Sequence, residues 1–275
     1  MNINDLRSTT QSLDYGATSK DSASTPVNNA SSSGLPQLKF YGGKVLKQPK
    51  FFSVFLGSYW KTKRGAKEVD YHNSFAKSLF SSDHMKIWKE YGVSKATHIG
   101  SETIAGTPRT RTIDESRVKE LIWQEIQQHR APKPDGKTVY TLYLPPGSIL
   151  TSSDGYSSLD GLGGYHGSFD MPGEKRIYYS ALAYSQGSNG IDFTGSPRQN
   201  ITVTASHEWA EAATDPDVNN GKLGWYDKNY GEVGDIPLSM GMELTSIAGD
   251  VNGFKVQKEW SNEDDCAEVL PNSCE

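Results

Sequence analysis

No stretch of this sequence is long and apolar enough to cross a membrane as a helix. Its richest apolar clusters, around Phe51–Trp60 and Ile177–Tyr184, stop far short of the roughly 20 residues a span needs. The first residues also lack the basic and apolar regions of a secretory signal. Either the protein stays in the cytoplasm, or it is exported by a route not visible in the sequence, or a signal has been removed. A polar N-terminal segment suits an export address, although a plain disordered end explains it with fewer assumptions. Positive charge is short as well. Lys and Arg number 28 against 33 Asp and Glu, a net charge of −5, which argues against nucleic acid as the main partner. One locally basic stretch, from Lys39 to Lys67, alternates with apolar residues and reads as a solvated sheet face. Cysteine is nearly absent. Cys266 and Cys274 are spaced for a local disulfide in an oxidising compartment, but two cysteines do not fix the compartment.

Apolar residues make up 35% of the 275, low for one packed unit. The beginning of the chain explains part of this. Within residues 1–34 the only large apolar side chains are Met1, Ile3, Leu6, Leu13, Tyr15 and Val27. Ordering a backbone costs about 1–2 kcal/mol per residue, and so little apolar surface does not offset it. Residues 1–35 are expected to be a disordered polar tail and 36–275 the folded domain.

Beyond the tail, strands are expected at Leu38–Tyr41, Phe51–Ser58, Thr138–Leu144 and Arg176–Tyr184, and helices at 67–80, 83–91 and 113–129. Residues 147–175 read as a long Gly/Ser-rich loop of the functional kind, holding Gly163-Gly164-Tyr165-His166-Gly167. Ser196-Pro197 opens a helix and Pro216 limits it, placing it at about 197–214. Met242–Ala248 and Phe254–Trp260 flank Asn252-Gly253, a hairpin signal. In the second of these strands Phe254, Val256 and Trp260 should face one way, and Lys255, Gln257 and Glu259 the other.

The helix at 197–214 carries the chemistry. Ser206-His207-Glu208-Trp209-Ala210-Glu211 reads H-E-x-x-E. Positions i and i+4 share a helix face, so His207 and Glu211 can grip one metal ion, while Glu208 reaches a water on it. This is the layout of a zinc-peptidase helix with a carboxylate in place of the second histidine. Zinc needs further ligands. Of six histidines only His166 and His207 lie beyond residue 129, so the third ligand is a carboxylate or His166. Glu232 and Asp235, on a glycine-flanked turn, are the better carboxylates. Asp217 is a rival, at the third-ligand offset of metzincins, though it follows Pro216. Glu208 would act as general base, and His166 or Tyr165 would donate to a developing oxyanion. Two blander readings compete. A pair of Glu residues on a solvated helix face gives the same motif. Asp215, Asp217 and Asn219 also resemble the start of a calcium loop, with glycine one place late at Gly221 and Tyr226 at the closing position.

Several segments, taken in order, resemble the EXORDIUM / phosphate-induced protein family of plants and its bacterial relatives. They are Phe40-Tyr41-Gly42-Gly43-Lys44-Val45-Leu46, Val54–Trp60, Gly164–Gly167, Ser206–Pro216, Gly224–Asp227, Gly231–Asp235 and Asn252–Asn262. The resemblance implies a secreted or surface protein with a zincin-like helix. It also implies a shared constellation of His166, His207, Glu208, Glu211, Glu232 and Asp235. Two departures stand out: the secretion signal of plant members is missing, and Ile236-Pro237 follows Asp235 where many members carry a cysteine. Cys274 then becomes the substitute partner for Cys266. The expected fold is α+β and zincin-like, with the motif helix packed on a twisted mixed sheet. The expected function is hydrolysis of a peptide or protein substrate with Zn2+. The alternative is a non-catalytic extracellular or cell-wall binding module, whose 14 Tyr and 6 Trp would supply sugar-stacking platforms.

Overall fold

Lys50–Leu56, with the sequence KFFSVFL, is apolar at nearly every position, and such runs belong to strands covered on both faces. The structure, a computed structural model, describes residues 34–104 and 111–274. The tail expected over 1–35 lies outside these residues, apart from Gly34 and Leu35. A short strand β1 (Lys39–Phe40) precedes β2 (Lys50–Leu56). Then come α1 (Lys63–Phe80), α2 (Met85–Glu90), β3 (Thr97–Ile104), β4 (Thr112–Ile113), α3 (Glu115–Gln127), β5 (Thr138–Tyr143), β6 (Ile149–Leu150), β7 (Gly164–Phe169), β8 (Ile177–Leu182) and α4 (Pro197–Thr214). The rest of the chain adds β9 (Trp225–Tyr226), α5 (Ile236–Ser239), α6 (Leu244–Ile247), β10 (Ala248–Val251), β11 (Phe254–Gln257), β12 (Glu259–Ser261) and β13 (Cys266–Glu268).

Five strands form a central mixed sheet in the order β3-β2-β5-β8-β7. The first four run parallel and β7 closes one edge antiparallel to β8. Helices and strands share this one sheet, so the fold is mixed α/β, and the motif helix α4 packs on a mixed sheet as expected. The period-2 alternation of β2 divides the core. Phe51 and Phe55 join α1, α2 and α4 on one face. Phe52, Val54 and Leu56 join Val118, Leu121, Ile122 and Ile126 of α3 on the other. Local chemistry fixes the helix starts: the Thr62 hydroxyl accepts from Gly65 N at 3.0 Å, and Asp114 from Arg117 N at 2.8 Å.

Several expectations are corrected. The segment 147–175 is not one loop, because it contains β7. β3 was not anticipated, since THIGSETI has only two large apolar residues; it sits at the sheet edge, half-buried. Asn252 and Gly253 take positive φ, as a tight hairpin requires, but the first strand is β10, starting at Ala248; Leu244–Ile247 is helical. The basic residues share no sheet face, for Lys63, Arg64 and Lys67 lie on α1. Gln257 and Glu259 point inward. Gln257 Nε2 donates to the Gly234 carbonyl at 2.5 Å. Cys266 and Cys274 form a disulfide beside β13. Among the described residues no helix is long and apolar enough to cross a membrane.

Glu259 ties the C-terminal strands to α2. Its carboxylate accepts from Trp88 Nε1 at 2.6 Å and stands 3.2 Å from His84 Nε2, with all three side chains buried. Burial alone would lower the His84 pKa from its ordinary 6.5, but the Glu259 charge, helped by Glu268 and the Val269 carbonyl, outweighs it and holds the imidazolium above that value. A raised folded-state value adds stability that is complete below the unfolded pKa and fades as pH climbs through the folded one. The stability advantage of wild type over His84→Gln, from urea melts at constant ionic strength, should therefore be largest near pH 5 and shrink above neutrality. An advantage that grows with pH would contradict the charged pair. Trp209 offers a second check. It is fully buried between α4 and the sheet, with Nε1 donating to Thr141 Oγ1 at 2.8 Å. Trp209→Ala should lower unfolding free energy by about 3–5 kcal/mol, read from the same melts.

Candidate metal centre

Helix α4 has no solvated side. Every residue from Asn200 to Thr214 is buried, with β7 and β8 against one flank and β11 against another. This removes the reading of Glu208 and Glu211 as a surface pair. It also sets the electrostatic problem of the site, because buried carboxylates are costly unless paired or metal-bound.

Two glycines allow the helix to come so close. A methyl on Gly164 of β7 would stand 3.0 Å from Glu208 Oε1 and 2.8 Å from the Ala181 carbonyl. A methyl on Gly234 would press into the His207 ring, 2.8 Å from Cε1. Along β7, Gly164, His166 and Ser168 share the face toward α4. His166 therefore enters the site from a rigid edge strand, not from a glycine loop. Tyr165, one residue earlier, faces the opposite way. Its ring packs in the α3-side core against Tyr179, and this separates it from the role expected of it.

After α4 the chain turns back under the helix. Asp215 Oδ1 accepts from Gly224 N at 2.7 Å, and Asp235 Oδ2 accepts from Glu232 N at 3.1 Å just before α5. These turns bring Glu232 and Asp235 to α4. His207 Nε2 then lies 3.2 Å from Glu211 Oε2 and 3.8 Å from Asp235 Oδ1. His166 Nδ1 lies 3.4 Å from Glu211 Oε2 and 3.5 Å from Glu208 Oε2, and its Nε2 is 3.5 Å from Glu232 Oε1. Two donors held by one zinc ion at 2.0–2.1 Å and a tetrahedral angle stand about 3.4 Å apart. The spacings around Glu211 match that edge, and the donor types are those zinc takes.

Asp217 is excluded from the cluster. Its carboxylate is taken by Arg176 Nε at 2.5 Å and Ser168 Oγ at 2.7 Å, while Asn219 bonds the β7 backbone at Ser168. The same bonds occupy Asp217 and Asn219 of the suspected calcium loop, and Asp215 Oδ1 is turned to Gly224 N. The Asp215 carbonyl, not foreseen from sequence, faces the site 3.4 Å from His166 Nε2.

Four carboxylates here face two imidazoles, and only Asp235, its side chain 22% exposed, has appreciable contact with solvent. Burial drives the Glu232 pKa well above the ordinary carboxylate range, against the pull of His166. Burial, then the Glu211 charge, lifts Asp235 to about 7. Glu211 goes the other way, to about 2, because His207 and His166 outweigh its burial. His207 rises to about 9, since Glu211 overcomes the effect of burial. Glu208 Oε1, Glu211 Oε1, both oxygens of Glu232, and Nδ1 of both histidines have no hydrogen-bond partner among the described residues. A group of buried donors so far from mutual satisfaction is what a cation would complete.

Compared with known proteins, the chain matches no family model and no curated protein. The site is therefore described by its own geometry. Gly234 gives that geometry a direct test. Because its φ is negative, only crowding opposes a side chain there. Gly234→Ala should displace the His207 ring and cost about 1–3 kcal/mol of stability in urea melts. A neutral substitution would mean that the ring is not seated against this glycine.

Proposed function

We propose that the chain is a zinc-dependent peptide hydrolase of zincin-like architecture, acting on a peptide or protein substrate. The observation that carries this is the 3.2 Å approach of His207 Nε2 to Glu211 Oε2, with Asp235 Oδ1 beside it and Glu208 one residue along the same helix. His207 and Glu211 would hold the ion, and Asp235, 3.8 Å from His207 and partly exposed, would move in as the further ligand. When bound, zinc supplies Lewis acidity, polarising a carbonyl and making a water easier to deprotonate. Glu208 takes a proton from the attacking water and returns it to the leaving amine. Burial raises its pKa, so its carboxylate has greater affinity for that proton than an exposed one. His166, 3.5 Å away, keeps its oxygen oriented. The order of elements, a buried motif helix laid against the antiparallel edge of a mixed sheet, supports the zincin-like reading. The Cys266–Cys274 disulfide suits an exported protein.

One observation favours a second reading. Glu208 is only 1% exposed, and the partly open side of the site is the Asp235 side. A non-catalytic extracellular module, with the ion as a structural centre, would have no need of access. Glu208→Gln separates the two. It should bind zinc as wild type does, by elemental analysis, and hydrolyse a labelled unfolded protein roughly 10²–10⁴-fold more slowly. His207→Ala should lose the zinc. Equal rates in Glu208→Gln and wild type would sink the assigned base. Tight zinc with no hydrolysis in wild type would leave the module.

A further inference from the structure

The donors under α4 fall into two triads among the described residues. One is His207, Glu208 and Glu211; the other is His166, Glu211 and Glu232. They meet only at Glu211. We propose that the site holds two divalent cations, with Glu211 as the shared carboxylate and Glu232, His166 and the Asp215 carbonyl forming the second position. This deepens the reading above and rests on it, since Glu211 must already bind the first ion.

Three features of the second position support it. The first is geometric. His166 Nε2 stands 3.5 Å from Glu232 Oε1 and 3.4 Å from the Asp215 carbonyl oxygen. Both distances are close to the separation of about 3.4 Å between neighbouring donors on one tetrahedral ion. The first is an ion-pair distance and the second a long hydrogen bond, so Nε2 of His166 points at both oxygens and neither contact is tight.

The second feature is the state of Glu232. It is fully buried, and among the described residues neither carboxylate oxygen has a hydrogen-bond partner. A lone proton on Glu232 would satisfy one oxygen and create a hydroxyl that itself needs an acceptor. A cation satisfies the carboxylate outright. Asp215 Oδ2, also buried, has no hydrogen-bond partner among the described residues either, so the acidic surplus is concentrated on this side of the site.

The third feature is the orientation of His166. Its Nδ1 faces Glu208 and Glu211, and its Nε2 faces Glu232 and Asp215. A single ion at His207 and Glu211 leaves the Nε2 side, with its carboxylate and carbonyl, without a cation. One imidazole with carboxylate and carbonyl oxygens suits a first-row divalent ion, and zinc is a sufficient probe.

The test uses the full chain, stripped by chelator, reloaded with zinc alone and desalted. Elemental analysis should find two zinc ions per chain in wild type and one in Glu232→Gln, with far-UV circular dichroism checking that the variant folds. Zinc-edge X-ray absorption on wild type needs no variant. It should show a zinc–zinc distance of about 3.5–4 Å, as in carboxylate-bridged pairs. One zinc per chain without that distance overturns the second position and leaves the first ion in place. No bound zinc overturns both. Two zinc ions retained by a folded Glu232→Gln would overturn the assignment of this residue.

Discussion

A carboxylate held between two imidazoles, out of reach of water, is the constraint around which the rest of this structure is arranged. Glu211 sits 3.2 Å from one ring and 3.4 Å from the other, and it is the one carboxylate of the cluster whose charge is strongly favoured. Its neighbours Glu208, Glu232 and Asp235 are pushed toward protonation by the same burial and by one another. An interior like this is stable only if the surrounding chain leaves it little freedom to relax. A divalent ion relieves the repulsion between carboxylates that protons relieve otherwise.

The surroundings supply that rigidity through contacts far apart in sequence. Asn219 bonds both ways with the backbone of Ser168, fastening the turn after α4 to the edge strand. Arg176 bridges Asp217 and Asp170 across the same edge. On the far flank, Ser206 Oγ accepts from Gln257 N at 2.8 Å, and the Gln257 side chain reaches the Gly234 carbonyl. The hairpin of β10 and β11 thereby ties α4 to the turn that carries Glu232 and Asp235. Glycine at 164 and 234 provides the clearance without which the helix would stand off from β7 and from the turn that carries Glu232 and Asp235.

Much of the site was legible because its donors are close in sequence or sit on glycine-marked turns. His207, Glu208 and Glu211 follow from helical spacing, and Pro197 and Pro216 bracket their helix. Glu232 and Asp235 were readable because a turn after a helix can return to it. Tyr165 was not, because adjacent residues of a strand face opposite ways, and the strand itself was hidden in a Gly-rich segment. β7 owes its form to pairing with β8 and close packing of α4, neither of which leaves a local signature. Asp217 illustrates the same limit. Its offset from His207 suits a ligand, but Arg176, 41 positions away, holds it elsewhere. The Asp215 carbonyl has no side-chain signal at all. Gln257 and Glu259 look like a solvent face by alternation, but the partners that bury them, Gly234 and Trp88, come from other parts of the chain.

One small joint lies well away from this chemistry. Leu38 N donates to Asn262 Oδ1 at 3.0 Å, and Asn262 Nδ2 donates back to the Leu38 carbonyl at 2.9 Å. Asn262 N is bonded in turn to the Tyr91 hydroxyl, which itself donates to the Trp260 carbonyl. Tension applied to the chain at positions 38 and 262 would cross this clasp directly. The sheet and α4, which lie between those points in sequence, would carry no load until the clasp parted.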